Sequence, residues 1–309
     1  MIEVLGVTKS YGSNDAVKDI SFSVKQGEIL GFLGPNGAGK TTTMKMITCY
    51  MPPTLGSITV DGLDVVNDSM AVRKKIGYLP ESTPLYDEMG VRDYLNFIAD
   101  VRKINGDSRK RAFDRVIHVC GLSQVIHKDI HELSKGFRQR VGFAQAILHD
   151  PEILILDEPT TGLDPNQIIE IRNLIRQLGE SKTVIFSTHI MQEVQATSDR
   201  VLIIDQGIIA AQGTAEELKA SIAGQMHLEL VLRNADKSEF IAIVNDLATV
   251  ELDDIKLQKN GDLDVSLNIN AGTDFREQMF DLAVSKQWKI LESSPSSFTL
   301  EDVFRKLTN

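Results

Sequence analysis

The sequence predicts an α/β protein in which a large domain over residues 1–222 is followed by a small α+β domain over residues 223–309. Three observations predict it. The apolar run from Ile29 to Leu33 enters a glycine-rich loop and then a segment with Met44, Ile47 and Met51 at helical spacing, so a buried strand gives way to a helix. A second apolar run, Ile153 to Leu156, ends in the adjacent carboxylates Asp157 and Glu158, which reads as a central parallel strand. From Met226 onward the pattern changes to short alternating strands and short helices.

The chain has 309 residues, 42% of them hydrophobic and 25% charged, which describes globular domains and not a disordered chain. The start lacks a basic leader, and the most apolar stretch, Val201 to Ala211, is interrupted by Asp205, so no exported or membrane-spanning segment is expected. The two cysteines, Cys49 and Cys120, have no metal-ligand spacing and read as buried residues of a reduced compartment. A formal net charge of −10 disfavours nucleic acid as a partner.

The first element is Gly34-Pro35-Asn36-Gly37-Ala38-Gly39-Lys40-Thr41-Thr42, a phosphate-binding loop between a strand and a helix. Its glycines let successive N–H groups converge on a phosphate, and the helix adds its positive end. Lys40 supplies a point charge toward the β- and γ-phosphates, and Thr41 a hydroxyl to Mg²⁺. The second element, the strand before Asp157 and Glu158, sends the two carboxylates in different directions at the end where α/β sheets bind ligands. Asp157 is expected to support the Mg²⁺ hydration shell. Glu158 is expected to polarise the attacking water, a role worth about 10²–10⁴ in rate.

The third element, Leu133-Ser134-Lys135-Gly136-Phe137-Arg138-Gln139-Arg140, opens a helix with Phe137, Val141, Ala144 and Leu148 on its apolar stripe and Ser134 at its cap. Alone it reads equally well as a basic helix start. In its place shortly before the Asp157 strand it resembles the signature of the ABC ATPases, and the resemblance covers about the first two thirds of the chain. What the resemblance implies is an ABC ATPase domain with a helical subdomain at about residues 82–140, binding ATP and Mg²⁺. Tyr11 matches the aromatic that stacks on adenine. Gly77-Tyr78-Leu79-Pro80-Glu81 matches the loop that senses metal and membrane partner, and would bring Glu81 to Mg²⁺. Thr161-Gly162-Leu163-Asp164 matches the loop in which Asp164 faces a partner subunit, and His189 matches the switch histidine that positions water at the γ-phosphate. Two departures stand out: Glu81 replaces the family's glutamine, and Lys135 and Phe137 replace a glycine and a glutamine of Leu-Ser-Gly-Gly-Gln. The Leu-Ser-Lys-Gly and Leu-Pro-Glu forms resemble the branch that exports drugs, sodium and polysaccharides.

In this family each nucleotide lies between the phosphate loop of one copy and the signature of another. The resemblance therefore implies a second ATPase subunit, expected to be an identical copy, with Ser134, Lys135, Gly136 and Asp164 at the interface and Ser134 and Gly136 reaching the nucleotide in trans. It also implies separately encoded integral-membrane permease subunits, coupled through the segment after Glu81 to about Asn105, with Tyr86, Met89, Val91 and Tyr94 as groove or core residues. The chain would sit peripherally on the cytoplasmic face of the membrane. An ATPase serving a cytosolic machine, and a nucleotide-dependent regulator with little turnover, remain open as alternatives.

The last part alternates at Leu228, Leu230 and Leu232, turns helical at Phe240, Ile243, Val244 and Leu247, and resumes strands around Leu252 to Leu257 and Leu263 to Ile269 across an Asn260-Gly261 turn. A helix with Phe275, Met279 and Leu282 and a strand from Trp288 to Leu291 follow. This βαββαβ order predicts a ferredoxin-like domain. Thr299 and Asp302 predict the start of one more helix, bearing Val303, Phe304 and Leu307.

Overall fold

The computed structural model describes residues 1–222, 225–247, 249–270, 275–296 and 304. The chain divides into two compact units, Met1–Ala215 and Glu216–Leu307. The division falls at the start of a helix, Ala215–Ile222, whereas the sequence pattern places it after that helix.

The first unit opens with β1 (Ile2–Tyr11) and β2 (Asn14–Val24), whose alternation buries Ile2, Val4 and Val7 of one and Ile20, Phe22 and Val24 of the other. β3 (Ile29–Leu33) is buried along its whole length, as a strand covered on both faces must be. It is followed by α1 (Lys40–Ile47), β4 (Leu55–Val60), β5 (Leu63–Asp64), α2 (Ser69–Lys75) and β6 (Ile76–Leu79). Three helices come next: α3 (Val91–Val101), which buries Val91, Tyr94, Leu95 and Ala99 at helical spacing, α4 (Gly106–Val119) and α5 (Lys135–Ile147). The unit is completed by β7 (Ile153–Asp157), α6 (Pro165–Gly179), β8 (Thr183–Thr188), α7 (Met191–Thr197), β9 (Arg200–Asp205) and β10 (Ile208–Gly213). The helix at the division is α8 (Ala215–Ile222).

Two sheets organise this unit. The smaller has the order β2-β1-β4-β5 and is antiparallel. The larger has the order β10-β9-β3-β8-β7-β6, parallel except for the edge strand β10. Gln206 and Gly207 both have positive φ, the conformation a tight hairpin from β9 into β10 requires. Leu30, Phe32, Met44, Ile47, Ile155, Ile185 and Leu202 form the core between the sheets and α1. Because β3, β8, β7 and β6 run parallel with Leu33 opposite Thr188, Asp157 opposite Ser187 and Leu79 opposite Leu156, their carboxyl ends finish side by side. That register decides where the site lies.

The second unit contains β11 (Gln225–Arg233), α9 (Lys237–Asn245), β12 (Val250–Leu257), β13 (Leu263–Asn270), α10 (Phe275–Ser285) and β14 (Lys289–Ser296). Its antiparallel sheet has the order β12-β13-β11-β14, the ferredoxin-like arrangement of a βαββαβ chain. Leu228, Leu230, Leu232, Val265 and Leu267 point into a core shared with Phe240, Phe275, Met279 and Trp288. The helix expected from Thr299, with Asp302, Val303 and Leu307, lies outside the described residues, as does the Met226 side chain. Among the described residues no helix is long and apolar enough to cross a membrane.

Candidate nucleotide-binding site

Gly39 stands directly before α1 with φ 109°, and a Cβ there would lie 2.7 Å from the Ala16 carbonyl, so conformation and space both demand glycine. The turn it permits brings Lys40 back over the loop, where its ammonium donates to the carbonyls of Gly34 (2.7 Å) and Pro35 (3.2 Å). Lys40 also forms an ion pair with Glu158 Oε1 at 3.2 Å, at an angle outside a hydrogen bond, and both side chains are nearly buried. Ala16, Asn36, Gly37, Gly39, Lys40, Thr41, Thr42, Glu81 and Glu158 line a cavity of about 280 Å³. Glu81 is exposed and lines this cavity just after the end of β6. Tyr11 is not among the lining residues. It is half exposed at the end of β1, its hydroxyl donates to Met51 Sδ at 3.0 Å, and Lys9 Nζ lies 5.7 Å from its ring centre.

Asp157 and Glu158 are held by one hydroxyl that sequence patterning had not singled out. Ser187, directly across the β7–β8 register, donates to Asp157 Oδ1 at 2.6 Å and accepts from the Glu158 N–H at 2.9 Å. The signal was present as a serine two residues before His189, directly after the apolar run Val184 to Phe186. Thr41 adds a second donor to Asp157 Oδ1 at 3.2 Å. Burial is the largest influence on Asp157 and raises its pKa above the ordinary carboxylate value, against the lowering effect of the Ser187 and Thr41 hydrogen bonds.

Glu158 has φ 48°, a left-handed conformation that costs a non-glycine residue about 1–2 kcal/mol. This turns its side chain away from Asp157 and toward two groups: Thr161 Oγ1 donates to its Oε2 at 3.1 Å, and His189 Nδ1 lies 2.9 Å from the same oxygen. His189 is partly exposed, beyond the end of β8.

A second cluster surrounds the start of α5. The Ser134 hydroxyl accepts from the Phe137 N–H at 3.4 Å and caps the helix, and Ser134 and Lys135 are exposed. Gly136 is buried, and a Cβ there would meet the Gln167 side chain at 2.6 Å. Asp164 caps α6 by accepting from Gln167 N at 3.0 Å and is exposed, with Pro165 as the first helical residue. No hydrogen bond or ion pair among the described residues joins Ser134, Lys135, Gly136 or Asp164 to the phosphate loop. The two clusters are linked instead through the chain after Glu158: Gln139 Nε2 donates to the Pro159 carbonyl at 2.9 Å, and the Lys135 ammonium packs against Gly162. Gln139 is a further contact that patterning had passed over.

Of the residues expected along the coupling segment, Val91 and Tyr94 are core, and the Tyr94 hydroxyl donates to Gln145. Tyr86 is exposed and meets Phe97 edge-on at 5.6 Å. A separate groove of about 760 Å³ runs past Tyr50, Met70, Ile98 and Val101, flanked by Arg73, Lys74 and Lys103.

The donor set fits a hydrated divalent cation: Asp157 Oδ2 is buried with no hydrogen-bond partner among the described residues, and Oδ1 has the Thr41 hydroxyl beside it. A phosphate loop ahead of α1, this carboxylate pair and a histidine at the end of the neighbouring strand define a nucleoside triphosphate hydrolase site. The sequence profile of the ABC transporter family matches residues 17–161. The bacitracin transport ATP-binding protein BcrA of Bacillus licheniformis is 34% identical over 99% of this chain and 97% of its own length. The linearmycin resistance ATP-binding protein LnrL of Bacillus subtilis is 36% identical over 82% of this chain and 83% of its own. Among solved structures, a dimeric bacterial ABC transporter cassette shares the fold with a TM-score of 0.63 and 26% identity, covering 69% of this chain and 98% of that one. The chain belongs to the ABC transporter ATP-binding proteins, and its chemistry is ATP hydrolysis.

Proposed function

We propose that the chain is the motor subunit of an exporter, in which two copies hydrolyse ATP and drive separate permease subunits from the cytoplasmic face of the membrane. The observation that carries the catalytic part is the meeting of Lys40, Asp157, Glu158 and His189 at the carboxyl ends of three adjacent parallel strands. The exporter part is supported by BcrA, whose likeness extends over both units of this chain.

In this reading the loop N–H groups from Gly37 to Thr42 and the Lys40 ammonium bind the β- and γ-phosphates. Thr41, Asp157 and Glu81 would hold Mg²⁺, which would neutralise phosphate charge. Glu158 accepts a proton from the attacking water, and His189, fixed against the same carboxylate, sets the water's direction at the γ-phosphate. Tyr11 stacks on the adenine face. Ser134 and Gly136 of a second copy close the site, with Lys135 and Asp164 beside them, so that binding draws two copies together and hydrolysis releases them. The groove between Tyr50 and Val101 would receive a cytoplasmic helix of the permease.

The test is Glu158→Gln. Hydrolysis is expected to fall at least 100-fold while ATP binding persists, and sedimentation should show a dimer that forms with ATP and endures. Turnover near that of the parent would remove Glu158 as the base.

A further inference from the structure

The turn that carries His189 is fastened from below by a residue with no place in the scheme above. Thr188, fully buried at the end of β8, donates its hydroxyl to Glu193 Oε2 at 2.7 Å. The same hydroxyl accepts from the Ile190 N–H at 3.0 Å, and the Thr188 carbonyl accepts from the Gly34 N–H at 3.3 Å. Thr188 and Ile190 flank His189 in the chain, so a single hydroxyl ties both sides of the histidine to one carboxylate. Glu193, in the first turn of α7, is 1% exposed, and its Oε1 has no hydrogen-bond partner among the described residues.

Stability does not account for this residue. A buried carboxylate with an unmatched oxygen is costly, and an apolar residue at the same place would avoid that cost. A charged acceptor does make the Thr188 hydrogen bond short and directional. It also polarises the hydroxyl toward accepting from Ile190 N, so the two bonds strengthen one another.

We infer that Glu193 is a positioning residue for ATP hydrolysis: through Thr188 it fixes the backbone on both sides of His189 and holds the imidazole against Glu158. The inference rests on the assignment of His189 to water positioning. Because Gly34 N is bound to the same threonine, the first residue of the phosphate loop and the histidine turn share one anchor. An error in the turn of about 1 Å is enough to cost a large factor in rate.

The experiment compares Glu193→Ala, Glu193→Gln and Thr188→Val, each alone and combined with His189→Ala, in the full chain. Glu193→Ala and Thr188→Val should each lower kcat about tenfold or more, with the KM for ATP changed less than threefold. Glu193→Gln, whose amide oxygen can still accept from Thr188, should stay within threefold of the parent. In the His189→Ala background none of the three should reduce turnover further, because the histidine they position is gone. Hydrogen exchange at the Ile190 amide should accelerate in Glu193→Ala and Thr188→Val and remain slow in Glu193→Gln, independently of catalysis.

Equal losses with and without His189 would overturn the inference, as would unchanged turnover in folded Glu193→Ala or a Glu193→Gln loss as deep as that of alanine. If Glu193→Ala does not fold, Thr188→Val carries the same comparison with little change of volume. If His189→Ala itself turns over like the parent, the His189 assignment fails, while the exchange data still report whether Glu193 orders the turn.

Discussion

Asp157 is buried at the end of β7, with one oxygen accepting two hydrogen bonds and the other none among the described residues. Its raised pKa means that the folded chain holds this carboxylate's proton more tightly than the unfolded chain does. The charged form therefore costs stability above the unfolded pKa, and the cost disappears as pH falls through the carboxylate range. Asp157→Asn is expected to raise the melting temperature of the nucleotide-free protein at neutral pH and to remove Mg²⁺-dependent hydrolysis, read by calorimetry and by phosphate release. A melting temperature below that of the parent would show that the carboxylate is compensated. Much of the site was legible at this scale, since Gly34 to Thr42, Asp157 and Glu158 announce themselves as consecutive residues in a recognisable order. Ser187 did not. Its double role depends on a strand register linking positions 30 residues apart, which no local pattern encodes.

At the scale of elements, the helix start at Ser134 combines two functions that sequence cannot separate. A serine at a cap supports its own helix, and an exposed one is free to meet a second copy. Ser134→Ala should lower stability by about 1 kcal/mol through the lost cap, whereas Ser134→Gly should cost only a few tenths of a kcal/mol. If the hydroxyl also binds nucleotide in trans, both variants should lose ATP-driven dimerisation to a similar degree. A loss that follows stability alone would leave Ser134 with capping only. The burial of Gly136 against Gln167 was likewise unreadable, because it depends on how α5 meets α6. Strand and helix order from Gln225 to Ser296 was readable, because alternating residues and an Asn-Gly turn act locally.

For the whole molecule, His149 is expected to contribute to acid sensitivity. His149, between α5 and β7, donates its Nε2–H to the Ile76 carbonyl at 3.1 Å. Burial, followed by the positive charge of Arg102, lowers its pKa from the ordinary 6.5 to about 4. The neutral ring is the folded form, so this contribution is complete above the unfolded pKa and is lost as pH falls from about 6.5 toward 4, at about 1.4 kcal/mol per unit. His149→Gln should flatten the fall in melting temperature between those limits, and an unchanged acid limb would place the sensitivity elsewhere. The Lys40–Glu158 contact carries a different consequence. Lys40 Nζ, proposed to meet phosphate, lies 3.2 Å from Glu158 Oε1, proposed to meet water. On the proposed assignments a γ-phosphate at Lys40 would compete with the Glu158 carboxylate for the same ammonium. Glu158→Gln should tighten binding of a non-hydrolysable ATP analogue severalfold, a gain that slowed turnover cannot produce and that equilibrium titration would reveal.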